Sequence, residues 1–267
     1  MSTDRQSSLV KITELENGIF KIILSDPSHQ NTLSEKMIDE LQSAFDHFNS
    51  SPSRVIILSS TGKVFSAGHD LKELKAARSH PDKGKEYFQS ILKKCSRLMQ
   101  TIVNHSKPVI AQVDGVATAA GCQLALSCDL VYASSNSRFA TPGVNIGLFC
   151  STPMVALSRN TTSKHSMEML LTGELISADE AEKKGLINKS VNEEELENLI
   201  LEKATKISSK SGTTLKIGKK AFYQQIEMPL AEAYDYASKV MLENMLDQDA
   251  KEGIEAFLEK RSPNWKE

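Results

Sequence analysis

Apolar runs of two kinds divide the chain. Residues 9–15 (LVKITEL) and 19–24 (IFKIIL) read as strands, and Asn17-Gly18 between them predicts a tight hairpin. Asp26-Pro27-Ser28 ends the second strand. Met37, Ile38, Leu41, Ala44, Phe45 and Phe48 then recur at helical spacing, with Ser34 placed to cap that helix. Residues 55–58 (VIIL), 109–113 (VIAQV) and 130–133 are continuous apolar runs, expected of strands buried on both faces. Helices near 87–103 and 120–127 separate them, so the first part reads as ββα units around a largely buried sheet. From about Lys164 onward the pattern is almost all helical. Ser163 and Ser177 are placed as caps and Gly185 as a stop. Helices are expected over 193–209, 213–226, 230–246 and 248–260. Leu215, Phe222, Tyr234, Met241, Leu242 and Met245 in that region suit either the chain's own core or a subunit contact.

Composition narrows the function. The 267 residues carry 32 Lys and Arg against 34 Asp and Glu, a net charge of −2. That balance argues against nucleic acid or a membrane surface as a partner. No apolar run approaches the ~20 residues of a membrane span. The first residues, MSTDRQSSLV, have neither a signal-peptide core nor an Arg-rich amphipathic pattern. A bacterial cytoplasm, or a mitochondrial matrix with its presequence removed, is expected. Cys95, Cys122, Cys128 and Cys150 form no CxxC pair and have no His at ligand spacing, so reduced, buried thiols and no metal are expected.

Two strand-to-helix turns hold the candidate chemistry. In Ser66-Ala67-Gly68-His69-Asp70, Gly68 permits a sharp bend. The His69 N–H then lies near a helix start, which Asp70 can cap. The His69 ring itself suits a ligand contact, an acid–base role or a plain surface position. In the second turn, Gly115 marks the bend and Thr118-Ala119-Ala120-Gly121 opens a helix. Small residues there admit a ligand to the backbone, or serve tight packing. Bare N–H groups at two such turns can hold an oxygen that gains negative charge.

Order, spacing and flanking strands resemble the crotonase (enoyl-CoA hydratase/isomerase) superfamily. The segments concerned are SAGHDLKEL, KPVIAQVDGVATAAGCQLALSCDLVYAS, RFATPGVNIGLF, EMLLTGELISADEAEKKGLI and EAFLEKRSPNW. The resemblance implies an α/β fold, a spiral of ββα units over residues 1–200 with a C-terminal helical trimerisation region over 201–267. It implies a homotrimer, or a hexamer of two trimers. It also implies an acyl-CoA ligand, with coenzyme A as part of the substrate and no covalently bound cofactor. The backbone N–H groups of His69 and Ala120 would form the oxyanion hole. Ser66, Gly68, Asp70, Leu71, Gly121 and Pro142 would line the substrate site, Phe149 and Cys150 the acyl pocket. Lys72 and the Lys260-Arg261 end would meet the CoA phosphates. Asn145 and Ser151 are further polar groups near the acyl pocket.

Departures from the family pattern matter as much. Hydratases of the family read Gly-Gly-Gly-Cys-Glu-Leu where this chain has Ala119-Ala120-Gly121-Cys122-Gln123-Leu124, and their second catalytic Glu falls at Gly143. Each acid–base group typically contributes 10²–10⁴-fold, so roughly 3–5 kcal/mol is absent at each position. Hydration by the two-Glu route is therefore expected to be weak or absent, and whether the chain is an enzyme stays open. The chain is similar to a family subgroup that shares AAGCQL and TPGVN. The remaining readings are other enolate chemistry such as decarboxylation, a non-catalytic acyl-CoA binder or regulator in fatty acid metabolism, and an interaction protein on a relic fold.

Overall fold

The computed structural model describes residues 8–266. Residues 1–7, part of the stretch read above for a targeting pattern, lie outside them. Strands β1 (Val10–Glu14) and β2 (Ile19–Leu24) form the expected antiparallel hairpin, with Asn17 and Gly18 both at positive φ in its turn. Helix α1 (Glu35–Phe48) follows, its first turn capped by Ser34 Oγ, which accepts from the Met37 N–H at 3.2 Å. All six apolar positions named for this helix are buried.

The strands then alternate between two sheets. β3 (Val55–Ser60), β5 (Val109–Val113) and β7 (Leu130–Ser134) lie in a six-stranded sheet which, with β10 (Lys189–Val191), has the order β1-β2-β3-β5-β7-β10. Their sequence partners β4 (Val64–Ser66), β6 (Val116–Thr118) and β8 (Arg138–Ala140) lie in a four-stranded sheet which, with β9 (Ile176–Ser177), has the order β4-β6-β8-β9. Each strand pair leads into helices: α2 (Leu71–Ala77) and α3 (Lys85–Val103), then α4 (Ala120–Leu126), then α5 (Pro153–Asn160) and α6 (Ser163–Thr172). Neighbouring pairs are parallel, as in Ile56↔Val109 and Val116↔Arg138. This is a spiral of ββα turns.

The continuous apolar runs are explained by burial on both faces. Ile56 and Leu58 of β3 enter the main core under α1, α3 and α4. Val55 and Ile57 point the other way, onto Leu196, Ile200 and Ala204 of α8 (Glu193–Ser208). The 200/201 division thus falls inside a helix that packs on the spiral's own sheet.

The C-terminal half is less purely helical than its sequence suggests. Besides α7 (Ala178–Lys183) it holds β9 (Ile176–Ser177) and β10 (Lys189–Val191). Strands of two and three residues leave no readable period; they exist because β8 and β7 offer them an open edge. The cap of α6 is Thr162 rather than Ser163, one residue earlier, with Thr162 Oγ1 accepting from the His165 N–H. Ser177 caps α7 in a full capping box.

Helices α9 (Gly212–Gln225) and α10 (Leu230–Met245) hold no buried residue. With α11 (Gln248–Glu259) they expose Phe222, Tyr234, Met241, Leu242, Met245 and Phe257, the last 82% exposed. Within one chain, the core alternative for these residues is not realised.

Candidate functional site

The two turns named from the sequence interlock. β4 and β6 are parallel neighbours, so the turns after them emerge side by side. Thr118 Oγ1 donates to the Ala67 carbonyl at 3.2 Å. Gly68 sits at φ +86°, and a Cβ there would lie 3.0 Å from Ala119 Cβ and 3.1 Å from the Ala120 nitrogen. A Cβ at Gly121 would come within 2.2 Å of the Ser66 carbonyl oxygen. Glycine at 68 and 121 is therefore a steric demand of the turn–turn contact.

A buried polar lattice fixes the first turn. Ser66 Oγ donates to the Asn31 carbonyl at 2.8 Å and accepts from the Gly68 N–H at 3.3 Å. Asn31 Nδ2 donates to the Thr61 and Val64 carbonyls, and its Oδ1 accepts from the Asp26 N–H. The Ser66 hydroxyl is thus fully buried and engaged within the protein. Asn31, at φ +49°, is the main support that sequence reasoning missed. Its position two residues before an apolar Leu33 carries no local signal of a three-bond role. The Leu33 N–H donates to the Gly68 carbonyl at 2.8 Å, which orients the peptide that carries the His69 N–H. Asp70 caps α2, accepting from the Lys72 N–H at 2.7 Å, and Leu71 is exposed on its first turn.

Strain marks the second turn. Ala119 adopts φ 50°, ψ −120°, a conformation that L side chains avoid. Its N–H donates to the Ala140 carbonyl at 2.9 Å, tying β8 to the turn. No side chain caps α4, so Ala120 opens the helix without a side-chain acceptor.

Several buried polar atoms around these turns have no partner among the described residues: both ring nitrogens of His69, Oε1 of Gln123 and Oγ1 of Thr141. Gln123 is only 5% exposed. Unsatisfied buried groups cost roughly 1–3 kcal/mol each, and a ligand or water that pairs with them removes that cost. Burial lowers the His69 pKa below the ordinary imidazole value, opposed by the Leu33 backbone and the Glu73 carboxylate. The ring is therefore neutral near pH 7. Glu73 itself is held by the Glu35 N–H and the Tyr87 hydroxyl, at 3.0 and 2.8 Å.

A third segment closes the site from β8. Pro142 opens a short 3-10 turn, Pro142–Ile146. The Leu148 N–H donates to the Gly143 carbonyl at 2.9 Å, and the Gly143 N–H donates to Cys150 Sγ at 3.3 Å. A Cβ on Gly143 would lie 2.7 Å from the Leu148 carbonyl oxygen and 2.9 Å from Cys150 Sγ. The space a side chain would need is filled by the chain's own backbone. Burial raises the Cys150 thiol, opposed by the Gly143 N–H, and pushes Cys122 up to about 12. Neither is a thiolate at neutral pH.

The other residues expected near the ligand lie at the surface of the single chain. The Phe149 side chain is 43% exposed, and Asn145 and Ser151 also lie on the outside. Arg261 is bound to Glu252 and Glu259, each at 2.6 Å, so its charge is already matched. Lys72 stays exposed.

Residues 14–267 match the enoyl-CoA hydratase/isomerase family. The chain belongs to this family. Crotonase-family relatives extend along nearly its whole length. It is 50% identical over 254 residues to enoyl-CoA hydratase domain-containing protein 3, mitochondrial, of Mus musculus, covering 95% of this chain and 83% of that protein. The crystal structure of human enoyl coenzyme A hydratase domain-containing protein 3 is 48% identical with a TM-score of 0.91, covering 96% of this chain and 100% of that one. The structure of an enoyl-CoA hydratase from Mycobacterium smegmatis is 43% identical with a TM-score of 0.93, covering 97% and 99%. The spiral described above is thus the crotonase fold. Among the described residues, no helix is long and apolar enough to cross a membrane.

Proposed function

We propose that this family member binds an acyl-CoA thioester and polarises its carbonyl between the backbone N–H groups of His69 and Ala120. The observation that carries this reading is the interlocking of the two turns, with buried polar atoms left unpartnered on His69 in the first, Gln123 in the helix after the second, and Thr141 after β8. Gly68 and Gly121 keep those turns within backbone distance of each other. One preorganised donor of this kind is typically worth about 10²–10³ in rate.

Proton transfer by the family's two-Glu route is disfavoured on this reading. Gln123 is an amide without useful basicity, and the Gly143 position has no room for a carboxylate. Hydration of enoyl-CoA is therefore weak or absent. A turnover of crotonyl-CoA within about tenfold of a typical enzyme's ~10 s⁻¹ would overturn this view. Binding is tested separately: acyl-CoA thioesters should raise the melting temperature, and no shift at saturating ligand would reject the binding role.

A second reading rests on His69. Its neutral ring, with both nitrogens unpartnered, can donate one hydrogen bond to a substrate carboxylate without solvating it as water would. Loss of CO₂ sends the C–C bond electrons into the thioester carbonyl, so no base is required. A malonyl-CoA assay at high protein concentration tests this; absence of acetyl-CoA leaves an acyl-CoA binder or regulator. The exposed apolar face of α9–α11 supports a homotrimer or hexamer. The mitochondrial relatives support a matrix location where a presequence exists.

A further inference from the structure

β4 is the outermost strand of its sheet and has β6 on one side only. The turn that follows it, which bears His69, therefore has no strand of that sheet on its other side. Residues 30–33 fill the place. The Ala67 N–H donates to the Gln30 carbonyl at 3.2 Å, Ser66 Oγ to the Asn31 carbonyl at 2.8 Å, and the Leu33 N–H to the Gly68 carbonyl at 2.8 Å. Leu33 and His69 pair as an isolated parallel bridge. Three consecutive residues of the first turn, 66 to 68, are thus gripped by one short bracket.

The bond from Leu33 sets a direction. In a trans peptide the N–H points opposite to the C=O, and no peptide bond among the described residues is cis. With the Gly68 carbonyl held on the bracket side, the His69 N–H points the other way, toward β6 and its turn. The Ala67 carbonyl faces that way too, since it accepts from Thr118 Oγ1. The His69 N–H donates to no group among the described residues. Glycine is required at 68 by the contact between the turns, yet it lets the peptide that follows turn over at little cost. A reversed peptide would aim a carbonyl oxygen, not an N–H, at the thioester.

Asn31 holds the bracket against that reversal. It is fully buried, and both it and Gln30 sit at positive φ, 49° and 56°, a course that needs outside support. Its Nδ2 donates to the Thr61 and Val64 carbonyls at 2.9 and 2.7 Å, and its Oδ1 accepts from the Asp26 N–H at 2.8 Å. The bracket is thereby tied to the start of β4, the strand whose exit it braces.

We propose that Asn31 is a positioning residue of the oxyanion hole: through the 30–33 bracket it keeps the His69 N–H aimed at the thioester oxygen. The inference rests on the acyl-CoA reading above and adds to it a residue that touches no ligand. Its effect falls on polarisation of the carbonyl more than on affinity, because contacts to the rest of the thioester do not depend on the direction of one peptide.

The test uses the full chain and butyryl-CoA, a saturated thioester that cannot be hydrated, isotope-labelled at its carbonyl carbon. Isotope-edited infrared spectra of the bound ligand report how far the donors lower the carbonyl stretch. The parent should lower it relative to the free thioester. Asn31→Gly suits the positive φ and removes all three side-chain bonds. It should lose at least about half of that lowering while the dissociation constant changes by no more than about threefold. Ser66→Ala cuts the link between the Asn31 carbonyl and the turn, and should lose a similar share of the lowering. Thermal melts establish that each variant is folded at the temperature of measurement. A merely structural residue would lower the melting temperature and leave the spectrum of the bound carbonyl as in the parent. That outcome in either folded variant overturns the proposal and leaves the acyl-CoA reading standing. A parent that binds butyryl-CoA with no lowering at all overturns the oxyanion-hole reading, and this inference with it.

Discussion

The Gly143 N–H donates to Cys150 Sγ, and the direction a Gly143 side chain would take leads into that same sulfur and the Leu148 carbonyl. A missing carboxylate is thus built into the path of the loop, and one substitution cannot restore it. Gly143→Glu should destabilise the protein by about 1–3 kcal/mol through overpacking and add no hydration. Gln123→Glu meets no such barrier, since the carboxylate is isosteric with the amide it replaces and the Oε1 position is already unpartnered. That variant should raise crotonyl-CoA hydration by about tenfold or more. Rates for both single variants decide the point; a gain from Gly143→Glu in a stable protein would contradict the loop argument.

Ala119 offers a test in the opposite direction. An L residue at its φ of 50° carries strain of roughly 1–2 kcal/mol. Glycine removes the strain but adds about 0.5–1 kcal/mol of chain entropy to the unfolded state. Ala119→Gly should therefore be neutral to stabilising, by up to about 1 kcal/mol, whereas Ala119→Val should destabilise. Denaturant melts of the two variants would show the ordering, and a large loss with glycine would rule out strain at this turn.

How much of this was legible in the sequence follows from the range of the interactions. The hairpin at Asn17-Gly18, the Ser34 cap and the doubly buried 55–58 run are set by neighbours within a few residues, and each lies where its pattern places it. The two site turns were legible because small residues must stand where backbones meet. Asn31 and β9 were not, since their partners are far away in sequence: Asn31 donates to Val64, and β9 pairs with β8. The obstruction at Gly143 depends on a loop path, and a glycine in a sequence does not say whether space lies beside it.

Acid should weaken the fold through two histidines. Burial lowers the pKa of His69 and of His105, which accepts the Lys107 N–H at Nδ1 and lies 3.1 Å from the Phe45 carbonyl at Nε2. In the unfolded chain both titrate near pH 6.5. Below that, the unfolded state binds more protons than the folded one, so stability falls as pH drops. Their contribution is complete above about pH 6.5 and is lost progressively toward the lower folded values. Melting temperatures between pH 8 and pH 5 should decline, and His105→Gln should flatten the slope. An unchanged slope would mean that His105 is not held neutral.

The bare face of α10 should be covered in solution. Tyr234, Met241, Leu242 and Met245 recur at helical spacing on it and are all more than half exposed in the single chain. An apolar patch of this kind marks an association surface. Light scattering of the parent should report a closed oligomer, and Leu242→Glu should shift it toward smaller species. A monodisperse monomer for the parent would contradict the assignment.

Helix α9, which packs against α10, is tied to the spiral by an ion pair largely shielded from solvent. Lys219 Nζ lies 2.7 Å from Asp129 Oδ2 and also donates to the Ile102 and Lys107 carbonyls at 3.1 Å. Asp129 further accepts from the Val109 N–H and the Tyr223 hydroxyl. Side-chain exposures of 8% and 17% remove the solvent screening that makes most surface pairs weak. Lys219→Met should therefore cost about 3–5 kcal/mol, because it leaves the Asp129 charge and two carbonyls without their cation. Asp129→Asn in the same chain should recover part of that loss by removing the stranded charge while keeping an acceptor for Val109. Urea denaturation of the two single variants and the double variant supplies the cycle. Additive losses would show that the pair does not act as a unit, and the docking of α9 would then rest on packing alone.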